Sequence, residues 1–229
     1  VYDGASGVAG NTFVVQNPMG TNTIYGGETG DDHDTIDLLN HAGEGVTVTF
    51  TGAEAGTITG ATSGTTTFQQ IEELVLTQEA DLADASANTS GVTISGNAGD
   101  DTIIGGTGAD SLVGGEGDDN IALEDGFGAD TIEGSETGET FGDVLDASGV
   151  SGNVLLDLSA GNPADPEDGT ITQGGNTASF SGIESFYLGN GDDTIIGSSG
   201  ADSVNAGVGN DSFVGGNGDD YAYGDDGND

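Results

Sequence analysis

The sequence predicts an all-β solenoid, with short strands wound into coils and joined by glycine turns. Three observations predict it. Nine-residue units recur in one register, each glycine-rich in its first half and rich in β-branched residues in its second. Hydrophobic residues make up 33% of the 229-residue chain and glycine contributes 45 positions. That is below the roughly 45–50% apolar content of an ordinary globular domain, so a thick core is out of reach. Between the repeat blocks, apolar residues alternate with Thr or Ser, the period of a half-buried strand.

The clearest units run from Gly96 to Ala122 as GNAGDDTII, GGTGADSLV and GGEGDDNIA. Their fourth position is Gly99, Gly108 and Gly117, their sixth Asp101, Asp110 and Asp119, and their eighth Ile103, Leu112 and Ile121. The register returns from Leu188 onward, placing Asp193, Asp202, Asp211, Asp220 and Asp229 nine residues apart. In each unit the glycine half can take positive φ, which makes a tight turn with its carbonyls presented outward. The β-branched half is a very short strand with one inward aliphatic. Two units close one coil, and successive coils stack at about 4.8 Å. Asp101 then lies over Asp119, Asp193 over Asp211, and Asp202 over Asp220. Carboxylates about 5 Å apart repel by about 1–3 kcal/mol at effective dielectrics of about 80 to 20. A hard dication between the turns reverses that sign, taking carboxylate and carbonyl oxygens as ligands, which is calcium chemistry.

These units resemble the RTX family, the hemolysin-type calcium-binding nonapeptide repeats of bacterial proteins exported by type I secretion. The clean units cover about 70 residues, and degenerate copies extend the likeness over most of the chain. The resemblance implies a right-handed parallel β-roll, or β-helix solenoid, with Ca²⁺ between stacked turns and folding outside the cell. It implies no particular activity. Calcium ligation is expected at Asp101, Asp110, Asp119, Asp130, Asp193, Asp202, Asp211 and Asp220. Asp34 is a further candidate, and Asp229 depends on chain beyond it. Acids at position five (Asp100, Asp118, Asp192, Asp219) are expected to face solvent and offer only their backbone carbonyls.

Residues 1–25 contain two worn units, with Asn11 and Asn22 where Asp is expected. Asn offers a neutral oxygen or caps a turn without metal, so no strong calcium site is expected there. In GGETGDDHDTIDL (26–38), Asp34 holds the repeat position and Asp31 and Asp32 the turn. Residues 34–76 then resemble residues 143–188: Gly56-Thr-Ile-Thr and Phe68-Gln-Gln-Ile-Glu answer Gly169-Thr-Ile-Thr and Phe180-Ser-Gly-Ile-Glu. The chain is therefore read as a tandem duplication in one continuous solenoid. The first block is 1–122, degenerate to 95 and clean over 96–122. The second is 123–229, degenerate to 187 and clean over 188–229. The degenerate spacers are expected to continue as coils with longer loops, such as Asn162–Asp168, where Pro163 and Pro166 mark a bulge. The first copy is 20 residues longer before its clean units, near one coil length. Asp81-Leu82-Ala83 and Val92-Thr93-Ile94 are expected as strands of that extra coil, against a short helix over Ala80–Ala87. The Asp110–Asp130 separation is 20 residues rather than 18 because of Leu123-Glu124, and a bulge there would weaken one metal site.

Composition removes several functions. There is no Lys or Arg against 41 Asp plus Glu, a formal net charge of −41. Nothing can neutralise phosphates, so nucleic-acid binding is not expected. Apolar runs are too short for membrane insertion, and an anionic surface attracts this chain only through bridging Ca²⁺. Zero cysteine excludes a disulfide scaffold. His33, in Asp-Asp-His-Asp, reads as a solvated loop histidine, and His41-Ala-Gly-Glu44 lacks the helical zinc-protease pattern. No nucleophile or raised-pKa carboxylate pair stands out, so the segment is not expected to be an enzyme. High charge with low hydrophobicity predicts disorder without metal. The expected role is a calcium-binding structural module of a secreted or cell-surface protein (adhesin, surface-layer or filament type). The alternative is the non-catalytic carboxyl-terminal part of a type I-secreted hydrolase. Self-assembly or surface attachment through Ca²⁺ stays open, and Val1 and Asp229 are expected to lie inside a longer chain.

Overall fold

The computed structural model describes residues 2–3, 10–16, 20–27, 33–41, 43–60, 64–135, 137–159 and 167–229. The turn acids Asp31 and Asp32 and the Pro163–Pro166 bulge lie outside these residues. Among the described residues there is no helix, and therefore none long and apolar enough to cross a membrane. Two long, largely parallel sheets of twelve and eleven strands face one another, and the chain crosses between them at glycine turns. This is the all-β roll that the repeat predicts.

The clean units form it as expected. Thr102–Ile104 pairs with Asn120–Glu124 in parallel, Ile103 opposite Ile121, an offset of one coil. Thr194–Ile196 pairs with Ser212–Val214, and Ser203–Asn205 with Tyr221–Tyr223, at the same offset. Side chains alternate across each strand. Ile94, Ile103, Leu112, Ile121, Ile195 and Val204 therefore fall in the narrow gap between the sheets, at most 2% exposed. The extra coil of the first copy exists as Leu82–Asp84 and Thr93–Ala98, and the rival helix does not form. The Leu123-Glu124 insertion makes the expected bulge, a register shift between Ala122 and Glu124 against Val144–Gly149, while in the other sheet Ser111 still pairs with Thr131 and Leu112 with Ile132.

The spacers depart from expectation in part. Thr35–Asp37, Glu73–Val75, Thr131–Glu133 and Val144–Gly149 pair in parallel as coils, but each spacer also carries an antiparallel insertion. Val46–Gly52, Ala55–Gly60 and Thr65–Gln69 fold as an antiparallel three-stranded meander inside the twelve-stranded sheet. Val154–Asp157, Gly169–Gln173 and Asn176–Ser181 do the same in the eleven-stranded sheet. The cause is local. Thr51-Gly-Ala-Glu54 and Gln173-Gly174-Gly175-Asn176 are hairpin turns too short for a crossover, with positive φ at Glu54, Gly174 and Gly175. Each meander seats a phenylalanine over a strand glycine. A Cβ on Gly56 would stand 2.6 Å from Phe68 Cζ, and one on Gly169 2.6 Å from Phe180 Cζ. The sequence likeness of 34–76 to 143–188 thus has a structural counterpart, placed on opposite sheets.

The two meanders offset one another. After the first, Leu82–Asp84 is sixth in its sheet while the next strand, Thr93–Ala98, is only fourth in the other. After the second, Ser185–Tyr187 and Thr194–Ile196 are both tenth. The coils between them therefore run with the sheets two strands out of step.

Candidate metal corners

Each crossing between the sheets has a corner, and the position-six aspartates sit there. Two vertical rows result, one along each edge of the roll. Along the first, the backbone N–H of Asp81 donates to Asp101 Oδ1 (2.7 Å), that of Asp101 to Asp119 Oδ1 (2.8 Å), and that of Asp119 to Asp143 Oδ1 (2.8 Å). The N–H of Asp143 then donates to the Glu184 carboxylate. Farther along, Asp202 N–H donates to Asp220 Oδ1 (3.2 Å). Along the second edge, Asn11 N–H donates to Asp34 Oδ1 (2.6 Å), Val92 to Asp110 (2.9 Å), and Asp110 to Asp130 (2.9 Å). Val154, Asp193 and Asp211 donate in turn to Asp193, Asp211 and Asp229. Each Oδ1 thus fastens its coil to the one before. Asp34, Asp101, Asp110, Asp119, Asp130, Asp193, Asp202 and Asp211 are buried, Asp220 is half-buried and Asp229 is exposed.

The second oxygen separates the corners into two kinds. In Asp81, Asp110 and Asp202, Oδ2 accepts the backbone N–H four residues earlier, from Thr77 (2.7 Å), Gly106 (2.8 Å) and Ser198 (2.9 Å). Thr77 and Ser198 add their hydroxyls. In Asp101, Asp119, Asp130, Asp143, Asp193 and Asp211, Oδ2 is buried with no hydrogen-bond partner among the described residues. Turn conformation accounts for four of these six. Asn97, Gly115, Gly126 and Gly207, each four residues before its aspartate, have φ of 76°, 118°, 81° and 83°. Positive φ turns the peptide so that its N–H no longer faces the carboxylate.

Carbonyl oxygens stand beside corners of both kinds. A Cβ added to Gly96 would lie 2.3 Å from both Asp101 Oδ2 and the Gly114 carbonyl, and one on Gly197 2.6 Å from Asp202 Oδ2 and 2.1 Å from the Gly215 carbonyl. Only glycine leaves that cradle open. Among the described residues, no three His, Asp or Glu side chains converge on one point. A cation here therefore needs backbone oxygens, and the hard, six-to-eight-oxygen preference of Ca²⁺ fits that donor set.

The electrostatics agree. Burial, the largest cause in each case, pushes Asp101 up to about 8, Asp130 and Asp143 to about 7, and Asp119 and Asp193 to about 6. With no Lys or Arg in the chain, these carboxyls are relieved either by a proton or by a cation from outside it.

At the worn corner, the Asn11 side-chain amide donates to Asp34 Oδ1 (2.9 Å) and to the Gly26 carbonyl (3.2 Å), an internal donor set across two corner oxygens. His33 is exposed, as expected, whereas His41 is fully buried. Of the position-five acids, Asp100, Asp192 and Asp219 are exposed, as expected, and Asp118 is half-buried. Three of their carboxylates also take hydrogen bonds: Asp100 Oδ1 accepts from Asp118 N–H (3.1 Å), and Asp192 Oδ1 from Asn210 N–H (2.9 Å). Asp118 Oδ1 accepts from Thr140 (2.7 Å) and Phe141 (3.0 Å). These bonds hold Asp118 and Asp192 below the usual carboxylate range. They form an outer ladder of opposite sense, with the later coil donating to the earlier carboxylate. Asp143 and Glu184 in the inner row also escaped sequence reasoning, because they stand outside the nine-residue interval.

No curated protein matches the chain. Residues 93–121, 180–213, 187–222 and 206–229 each match the family model of the RTX calcium-binding nonapeptide repeat, which leaves the corners at Asp34, Asp130 and Asp143 outside the matched stretches. The corners at Asp101, Asp110, Asp119, Asp193, Asp202, Asp211, Asp220 and Asp229 accordingly lie in RTX calcium-binding nonapeptide repeats, found in this chain in four copies.

Proposed function

We propose that this chain is a calcium-folded structural module of a secreted or cell-surface bacterial protein, of adhesin, surface-layer or filament type. The roll itself is the working material. One observation carries the reading: six buried aspartate oxygens have no hydrogen-bond partner among the described residues, three of them (in Asp101, Asp119 and Asp143) beside a glycine, in a chain without a single Lys or Arg. Buried, uncompensated carboxylates cost several kcal/mol apiece, and a shared dication removes that cost. The ligands assigned are Asp34, Asp101, Asp110, Asp119, Asp130, Asp193, Asp202, Asp211, Asp220 and Asp229. Asp101, Asp119, Asp130, Asp193 and Asp211 bind most strongly, since their second oxygen is uncommitted. When bound, Ca²⁺ supplies the positive charge that lets neighbouring coils close. The protein's own part is to hold each Oδ1 on the next coil's amide and to keep the cradle free of Cβ atoms.

The mechanism is a compartment switch. Cytosolic calcium lies far below the roughly 10⁻⁴–10⁻³ M range of extracellular modules, so the chain stays unfolded and exportable. Outside, sites fill and coils stack as a one-dimensional array. Type I export, which accompanies such repeats, supports an extracellular location. No catalytic role is assigned to any residue. A catalytic domain elsewhere in the full-length protein would instead make this segment the supporting region of a secreted hydrolase. Circular dichroism tests the core of the proposal. In excess chelator the spectrum should be largely disordered, with β signal returning cooperatively on Ca²⁺ but not Mg²⁺. A β spectrum indifferent to chelator rejects it.

A further inference from the structure

Asp143 lies outside the clean repeats, yet it occupies a corner built like theirs. A Cβ on Gly134 would stand 2.3 Å from Asp143 Oδ2 and 1.8 Å from the Gly182 carbonyl oxygen. The cradle at Gly96, with Asp101 and Gly114, has the same two kinds of oxygen at 2.3 Å each. The chain path differs completely. Asp101 follows Gly96 by five residues and Gly114 by a further 13, whereas Asp143 follows Gly134 by nine and the second meander intervenes before Gly182. No nine-residue pattern could reveal such a site.

We propose that Asp143 and the Gly182 carbonyl hold a calcium ion at the exit of the second meander, fastening it to the stack. This rests on the calcium reading of the clean corners. Asp143 is fully buried. Its Oδ1 is committed to the Asp119 N–H, and its Oδ2 has no partner among the described residues. Asp119, one coil before, also carries a partnerless buried Oδ2, and the Glu184 carboxylate receives the Asp143 N–H from the other side. Three carboxylates are thus stacked where no basic side chain exists to answer them. A calcium ion bonds oxygens at about 2.3–2.6 Å and accepts carbonyls and water to complete its shell.

The first meander shows the same corner with a different solution. A Cβ on Gly26 would lie 2.4 Å from Asp34 Oδ2 and 1.8 Å from the Gln70 carbonyl. Gln70 and Gly182 both have φ of 60°, and each sets its carbonyl 1.8 Å from the Cβ position of the corner glycine. There the Asn11 amide bridges Asp34 Oδ1 and the Gly26 carbonyl. At Asp143 the row neighbour is Asp119, a carboxylate, so charge accumulates instead of being met by an amide.

The test compares the full chain with its Asp143→Asn variant. Asn keeps an Oδ1 acceptor for the Asp119 amide, so the ladder persists. Equilibrium dialysis with radioactive calcium should count one ion fewer per chain. Hydrogen exchange in Ca²⁺ should speed up over residues 131–134 and 182–187 and stay unchanged over 194–214. Equal ion counts with superimposable binding curves overturn the proposal. Should the variant not fold, anomalous diffraction from wild-type crystals grown in Ca²⁺ decides. A peak between Asp143 and Gly182 supports the site, whereas peaks at Asp101 and Asp193 with none at Asp143 overturn it alone. A wild-type chain that binds no calcium overturns this proposal together with the broader one.

Discussion

In residues 46–69 the stack is held by hydrocarbon. Val46, Val48, Phe50, Ile58 and Phe68 are each at most 3% exposed, and the Phe50 and Phe68 rings meet edge to face with centroids 5.2 Å apart. In residues 188–214 each strand contributes a single inward residue, Ile195, Val204 or the half-buried Phe213, between corners at Asp193 and Asp211 whose second oxygens are unanswered. The corner that abuts the first meander, at Asp81, is answered internally by Thr77. Between Asp193 and Asp211, the Asp202 corner takes its own donors from Ser198. On the proposed calcium reading, cohesion shifts along the pair of sheets from hydrophobic burial at the first meander towards bridging cations at Asp193 and Asp211.

Withdrawing calcium should break this comparison most visibly. Each site filled at 100 times its Kd contributes about 2.7 kcal/mol. Losing several at once should remove hydrogen-exchange protection from residues 194–214 at chelator concentrations that leave 46–69 measurably protected. Simultaneous loss in both regions would show that the first meander has no stability of its own.

Phe68→Ala attacks the other side. It removes an aromatic that packs over Gly56 and against Phe50, and the expected cost is about 3–5 kcal/mol in urea unfolding at saturating Ca²⁺. The unfolding of residues 46–69 should shift, while the calcium midpoint of the carboxyl-terminal repeats stays put. Gly56→Ala offers a smaller version, since the new methyl would press on the Thr49 carbonyl at 2.4 Å and on Phe68 Cζ at 2.6 Å, an overpacking cost of about 1–3 kcal/mol.

Acid should sharpen the contrast by mimicking the ion. Asp101 is pushed up to about 8, Asp143 to about 7 and Asp193 to about 6, against about 3.9 in an unfolded chain. Because the folded values are the higher ones, folding without metal takes up protons. The stability these groups contribute is complete below about pH 4 and is lost as pH rises through 6 to 8. Metal-stripped protein should therefore gain β signal between pH 8 and pH 5. The calcium-loaded protein should move the opposite way, needing more Ca²⁺ for half-folding as protons compete for Oδ2. A metal-free spectrum unchanged across that range would contradict the burial of these oxygens.

Much of this was legible in the sequence because a nine-residue interval fixes three things together: the glycine, the aspartate and the inward aliphatic. Asp101 over Asp119 and Asp193 over Asp211 follow from it directly. The meanders were not legible as meanders. Strands such as Val46-Thr-Val-Thr and Gly56-Thr-Ile-Thr carry the same alternation whether their neighbour runs parallel or antiparallel, and only the short hairpin turns decide. Asp143 was hidden for the same reason: its cradle joins Gly134 to Gly182 through space, with a hairpin pair between them in sequence. The outer ladder was missed because adjacent acids look alike in one dimension, while period-two geometry sends them to opposite sides.

That last distinction yields the subtlest expectation, on a pair of neighbours. Asp192 Oδ1 accepts from the backbone and side chain of Asn210 at the surface, whereas Asp193 Oδ1 accepts from the Val154 N–H and its Oδ2 is buried without a partner among the described residues. Asn in place of either keeps an acceptor for the ladder. Asp192→Asn should therefore leave the calcium midpoint of folding nearly where it was, with only a slight loss of thermal stability. Asp193→Asn should raise that midpoint and remove an ion, because it takes half of the uncommitted charge from its corner. Circular dichroism titrations of the two variants side by side measure the difference, and equal shifts would mean that the inner and outer ladders do the same work.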